Sequence, residues 1–255
     1  MPALLKVNDD AVDVASAVRL SILHNSTFLR DTIRAIVIRQ YAEKQNIRNT
    51  DAELQLAADE MRYNRGLETV DAVQQWMREQ HQTPLAIQDG IDSMLLNNKV
   101  RNAISEETMQ AHYAEHKLEY EAADLYSIRV DSESKTKELL AQLNDEGANF
   151  HVLAMEHSQD ENARHMGGYV GRLTRSQMTG VVAAAVFAPH PAAVIGPVKT
   201  DEGWNLFKVT KIHKPTYDEA KDRVRVALME QLVDKLIAQA KIEYPVFQEE
   251  VVATA

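Results

Sequence analysis

Residues 158–178 read Ser158-Gln159-Asp160, six residues, Gly167-Gly168-Tyr-Val-Gly171-Arg172-Leu-Thr-Arg175-Ser-Gln177-Met178. The chain goes on through Val181-Val182-Ala-Ala-Ala-Val186-Phe187 to Ile195-Gly-Pro-Val-Lys-Thr200-Asp-Glu-Gly203-Trp-Asn205-Leu-Phe-Lys208. Paired glycines at 167 and 168 predict a tight turn into a strand over 169–173. Val181 to Phe187 suits a short helix, and Asp201-Glu202-Gly203 is a turn between strands near 194–199 and 203–212. Working outward, Ala123 to Val130 suits a strand, Ser132 to Glu146 an exposed helix closed by Gly147, and Phe150 to His157 a short helix. The order strand–helix–helix–strand–helix–strand–strand predicts a small α+β domain.

Upstream the period changes, and residues from about 8 to 120 read as helices. Val7-Asn8-Asp9-Asp10 reads as a turn or cap before Val12, Val14, Ala17, Val18 and Leu20. Phe28, Ile33, Ile36, Val37 and Tyr41 follow at helical spacing. Thr50-Asp-Ala-Glu53 is a capping box, because the threonine hydroxyl can accept from the third helical amide while the glutamate reaches back. Gly66 ends that helix, Thr69 starts the next, and Thr83-Pro84 is a second clear start. Met61, Trp76, Met77 and Met94 recur at helical spacing and are expected to be mostly core, the alternative being the lining of an adaptable cleft. Downstream, Lys214-Pro215 breaks the last strand. Thr216-Tyr-Asp-Glu219 is another capping box, opening a helix with Val224, Leu228, Leu232 and Leu236 as its core-facing positions.

With 38 acidic against 28 basic side chains the net charge is −10. That field repels nucleic acid and anionic membrane, so neither is expected as a partner. No run approaches the roughly 18 apolar residues needed to span a bilayer, and Met1 to Val12 shows no signal-peptide pattern. A cytoplasmic protein is the simpler expectation, a periplasmic one the alternative if a signal has been removed. Without cysteine the chain has no disulfide, thiolate metal site or thiol nucleophile.

Six elements in the stretch from Leu125 to Lys211 carry a resemblance: Phe150-x-x-Leu153-Ala154, Ser158-Gln159-Asp160, Gly167-Gly168, Ser176-Gln177-Met178, Ala185-Val186-Phe187 and Ile195-Gly196-Pro197-Val198-x-Thr200. Together they resemble the parvulin (PpiC-type) peptidyl-prolyl isomerases. The segment ending Tyr113-Ala-Glu-His-Lys-x-Glu-Tyr120 looks like the N-terminal region of SurA- and PrsA-type foldases. The acidic, signal-less form is also similar to PpiC proteins associated with peptide maturation or export. The resemblance implies an α+β chain in three parts. These are a helical chaperone-like module over 1–120, a parvulin domain with a four-stranded antiparallel sheet over 121–213, and a C-terminal helix over 214–255 that returns to the module.

The implied activity is cis–trans isomerisation of X-Pro bonds, which crosses a barrier of roughly 20 kcal/mol without help. No covalent intermediate and no cofactor or metal are needed; the proline is gripped, water excluded and the twisted amide stabilised. By resemblance Met178, Val182 and Phe187 line the proline pocket, with Gln177 among the substrate contacts. Asp160, Ser127, Asn205 and Thr200 form the catalytic set. Ser127 and Asn205 stand where the family usually places two histidines, Val182 replaces a common phenylalanine, and Glu202 adds a carboxylate at the rim. Neither Ser127 nor Asn205 titrates near neutrality. The readings are therefore a foldase with isomerase activity, a weak pseudo-isomerase acting as holdase or maturation adaptor, or a structural partner of a modification or secretion complex. The client is an unfolded or precursor polypeptide containing proline, and both monomer and homodimer stay open. Asp160 by itself also reads as a loop cap.

Other signals are weaker. His112-x₃-His116 has a zinc-compatible spacing but reads mainly as a solvated helix face. His151, His157 and His165 read as ordinary surface or core-edge histidines. Gly167-Gly168-x-x-Gly171 lacks the Lys-Ser/Thr of a phosphate loop. Arg172 and Arg175 are candidates for an acidic or phosphorylated ligand, which the mixed charges of residues 131–137 disfavour.

Overall fold

The computed structural model describes residues 3–7, 10–14, 17–18, 21, 27–145, 147–188 and 194–243. They form two compact units, Met1–Glu106 with Arg225–Ala255, and Glu107–Val224.

The first unit is built on capped helices α1 (Phe28–Lys44), α2 (Asp51–Asn64), α3 (Val70–Glu79) and α4 (Pro84–Asn102). Thr50 and Glu53 close the expected capping box, with Thr50 N donating to Glu53 Oε2 at 2.8 Å and Glu53 N to Thr50 Oγ1 at 3.3 Å. Thr69 and Thr83 cap α3 and α4 through the amides of Ala72 and Ala86. The core joins Ile38 and Ala42 of α1, Leu96 and Val100 of α4, and Met229 and Val233. The last two belong to the C-terminal helix that begins at Tyr217 and ends at Gln239. Arg34 reinforces this packing by donating to both carboxylate oxygens of Glu230, at 2.6 and 2.8 Å. Of the expected stripe, Val224 is buried and Leu232 packs beside this core, while Met229 and Val233 are the fully buried residues of the helix there. Ala220 and Val224 of the same helix are buried in the second unit.

Two expectations for this region are corrected. Residues 3–13 hold a two-stranded antiparallel pair, β1 (Ala3–Val7) and β2 (Asp10–Asp13), in which Val7 is the register partner of Asp10. The module is therefore not all-helical, and Val12 lies in a strand. Asn8 and Asp9, read as part of a turn or cap, lie outside the described residues. Val14, Ala17 and Val18 are helical, and Leu20 lies outside the described residues. Secondly, Met61, Trp76 and Met77 are only partly buried and Met94 is exposed. Neither α2 nor α3 buries any residue. Their apolar faces and α4 line open cavities of about 520 Å³, walled by Leu54, Met61, Val73, Met77 and Ile91, and about 640 Å³, walled by Met61, Trp76, Ile87 and Met94. Among the described residues no helix is long and apolar enough to cross a membrane.

The second unit is an antiparallel sheet of β3 (Ala122–Val130), β4 (Tyr169–Thr174), β5 (Ile195–Thr200) and β6 (Gly203–His213), in the order β4-β3-β6-β5. Alternation along β3 divides the domain into two cores. Ile128 and Val130 pack with Leu206 against α6 (Glu133–Asp145) and α7 (Phe150–His157), burying Leu139, Phe150 and Leu153. On the other face Ala123, Leu125 and Phe207 pack with Val182 and Val186 of the short helix α9 (Gly180–Val186). Gly168 adopts φ +89° where an added Cβ would lie 2.9 Å from both Ala154 Cβ and Ser127 O, so the predicted glycine turn has no room for a side chain.

The change of unit falls at 106/107 and 224/225, outside the period changes at 120/121 and 213/214. The reason is aromatic. The ring of Tyr113, on α5 (Glu106–His116), lies 5.8 Å from that of Tyr120 and 5.7 Å from that of Tyr217, and its hydroxyl donates to Pro215 O. His112, expected on a solvated face, is instead buried with Nε2 3.1 Å from the Tyr120 hydroxyl. Burial lowers its pKa, and the His116 ring stacked 4.3 Å away adds to this; the Glu119 hydrogen bond raises that of His116.

A pH dependence follows from the sheet. Asp124 accepts from Arg172 at 2.8 Å and lies 2.7 Å from His213, contacts that hold its carboxyl at about 2 against an ordinary 3.8. A depressed carboxylate stabilises the fold above its unfolded value and loses that contribution as pH falls through its folded one. Acid unfolding should therefore steepen between about pH 4 and pH 2, and Asp124→Asn should flatten that limb. Superimposable acid limbs for variant and parent would contradict this role.

Candidate functional site

The loop after α7 is tied to β3. Ser158 is buried, and its Oγ accepts from Arg129 N at 3.2 Å and Asp160 N at 3.4 Å; Gln159 N donates to Arg129 O at 2.8 Å. Asp160 is thereby laid alongside Arg129. Its Oδ1 accepts from Ala163 N at 3.1 Å, capping α8 (Glu161–His165), and its Oδ2 lies 3.9 Å from Arg129 Nη2. The same guanidinium is ion-paired to Glu202, on the turn between β5 and β6. Arg129 is thus the organising cation of this edge. Sequence reading passed over it; its one signal was its position two residues after Ser127 on the same strand.

Ser127 and Asn205 are both buried. They face Phe207 and Arg129 respectively in the β3–β6 register, which puts all four on the sheet face that carries the Leu125 core. Asn205 Nδ2 donates to Thr200 Oγ1 at 3.0 Å and to Gly203 O at 3.3 Å, while Thr200 Oγ1 donates to Gly203 O at 3.1 Å. Thr200 and Asn205 therefore lock the β5–β6 turn. On the apolar side Met178, Val182 and Phe187 pack around Phe207, Leu125 and Val198 in a single cluster. Phe207 is a wall residue that the motif comparison omitted. The Arg175 guanidinium lies 4.2 Å from the centre of the Phe187 ring and bonds Glu121 at 2.6 Å.

The predicted residues divide accordingly. Met178, Val182 and Phe187 share a face with Ser127 and Asn205, and Asp160 reaches this group through Arg129. Gln177 is exposed, its Oε1 accepting from Thr174 N at 2.8 Å and Thr174 Oγ1 at 3.0 Å, so its amide is turned onto its own turn. Arg172 and Arg175 carry internal partners, Asp124 and Glu121. Among the described residues no group of three or more His, Asp or Glu side chains is arranged to hold a metal. His151 Nδ1 sits 3.0 Å from Gly167 O, a structural contact of the glycine turn. The arrangement offers an apolar wall beside neutral hydrogen-bonding side chains and a carboxylate engaged as a helix cap. Chemically that suits gripping a proline ring more than moving protons.

Residues 124–211 match the family described as Rotamase, PPIC-type PPIASE domain. The chain is 32% identical over 140 residues to foldase protein PrsA 2 of Bacillus cereus, spanning 54% of this chain and 46% of that one. It is also 32% identical over 150 residues to foldase protein PrsA of Geobacillus kaustophilus, spanning 55% and 52%. The chain thus spans about half the length of these curated relatives. The crystal structure of peptidylprolyl isomerase (PrsA) from Bacillus anthracis has a similar fold, with a TM-score of 0.53 at 22% identity over 85% of this chain and 100% of that one. Residues 124–211 thus match a PpiC-type parvulin domain, in a chain that is similar over about half its length to PrsA foldases.

Proposed function

We propose that this chain is a foldase-type chaperone that binds unfolded polypeptide, its parvulin domain holding prolyl segments against Met178, Val182, Phe187 and Phe207. One observation carries the reading: these apolar side chains share a sheet face with the buried polar groups Ser127 and Asn205. Asp160 acts chiefly as a cap and Arg129 partner, so binding outweighs turnover and isomerisation is slow. The helical part over 1–120 with 214–255 acts as a second client surface. The open apolar cavities between α2, α3 and α4 support this, because the Met side chains in their walls adapt to varied sequences.

A protease-coupled assay on a prolyl tetrapeptide, run beside suppression of aggregation of an unfolded protein, tests the reading. Aggregation suppression with slow isomerisation is expected; neither activity would refute it. Ser127→His with Asn205→His should raise turnover about tenfold or more, as expected when a titrating pair is supplied near neutral pH. Turnover already equal to that of ordinary parvulins would show the histidines to be dispensable. The cytoplasmic client is part of this proposal, and fractionation that finds the chain outside the cytoplasmic membrane would move the client to exported polypeptides.

A further inference from the structure

In a chain of net charge −10, one concave site in the second unit is lined by cations. The cavity, about 530 Å³, lies beside β3, β4 and β6 and the start of α10 (Tyr217–Gln239). Arg172, Lys211, Lys214 and Arg223 are permanent cations in its lining. The lining carboxylate is Glu219, whose Oε2 is engaged as a cap by Thr216 N at 2.7 Å and Thr216 Oγ1 at 3.0 Å. Asp124 is engaged between Arg172 and His213. Among the described residues Lys211 has no carboxylate partner, and Lys214 lies no closer than 3.9 Å to Glu121. Arg223 is already positioned, its guanidinium 5.5 Å from the centre of the Tyr120 ring and Nη2 donating to Tyr120 O at 3.3 Å. Positive charge is therefore in excess in a site whose lining also includes Tyr120, Ile212 and Pro215.

Arg172 and Lys211 are register partners of Asp124, and His213 is a partner of Ala122. Neighbouring strand residues alternate in face, which sets these cations on the side of the sheet opposite Ala123, Leu125 and the Met178–Phe187 cluster. We propose that this cleft binds an acidic polypeptide segment, whose carboxylates meet Arg172, Lys211, Lys214 and Arg223 while its carbon chain rests on Pro215. Charge complementarity and concavity together favour a peptide: a segment can enter a cavity of this size, whereas a lipid surface meets only its rim. The inference rests on the polypeptide-client reading solely for the source of the segment.

The test uses the full chain and a labelled, proline-free peptide with a run of glutamates, compared by fluorescence anisotropy with the same peptide carrying glutamine. The glutamate peptide should bind, weaken steeply with salt, and lose about tenfold affinity in Lys211→Gln/Lys214→Gln, the scale of two partly screened ion pairs. Both lysines are exposed, and Lys211→Arg/Lys214→Arg should retain binding. Equal affinity for the glutamine peptide, or an unaltered affinity in the Lys→Gln pair, overturns the proposal. Binding to phosphatidylglycerol vesicles without binding to the glutamate peptide also overturns it, in favour of a membrane surface. A neutral prolyl peptide, assayed in the same variants and in Phe187→Ala, reports separately on the opposite face, so failure of one reading does not pass for failure of the other.

Discussion

Phe187→Ala should raise the dissociation constant of a neutral prolyl peptide by about a hundredfold, corresponding to about 3 kcal/mol. The ring is partly buried against the Val182–Phe207 cluster, so the lower end of the core phenylalanine range applies. It is also covered by Arg175, which Glu121 continues to hold when the ring is removed. Calorimetric titration of wild type, Phe187→Ala and the conservative Phe187→Leu measures the effect, with the leucine variant retaining most of the affinity. Loss of affinity in a variant that remains folded at the assay temperature places the peptide on this face. An unchanged affinity would place clients elsewhere, with the cavities of the helical unit the first candidate.

Met229→Ala should destabilise the helical unit by about 2–5 kcal/mol, the range for a large-to-small change in a packed core. Met229 is 2% exposed and packs in the cluster of Ile38, Ala42, Leu96 and Val100. Its unit contains Trp76, and the other contains Trp204. Single-tryptophan variants therefore report each unit in its own fluorescence channel. The expected result is a lowered transition for Trp76 with little change for Trp204. An equal shift in both would mean that the units unfold as one cooperative block, and truncation before Arg225 should then abolish both transitions together.

Local signals with a mechanism were legible. The capping boxes at Thr50–Glu53 and Thr216–Glu219 form as read, because they need only residues three apart and a helix that follows. Gly168 sits at a turn that only glycine fits. The succession of strands along the second unit followed from turn residues and hydrophobic period, the four-stranded antiparallel sheet was implied by the resemblance, and the order β4-β3-β6-β5 is seen only in the structure. The strands Ala3–Val7 and Asp10–Asp13 were less legible, since strand pairing depends on the opposing segment.

The sequence alone determined the capped helices over 28–102 and most elements between 122 and 213, since caps, glycine turns and hydrophobic period are set by near neighbours. Tertiary structure decided what those residues do. It joined Arg129 to Asp160 and Glu202, turned Gln177 onto Thr174, and made Asp160 a helix cap. It also left Met61, Trp76 and Met77 at the walls of open cavities where a periodic pattern suggested a core. Periodicity shows which face of a helix is apolar; how closely another element covers that face depends on residues distant in sequence. The basic cleft is the plainest case, because Arg172, Lys211 and Arg223 come from separate strands and a helix and become one charge only when the sheet forms.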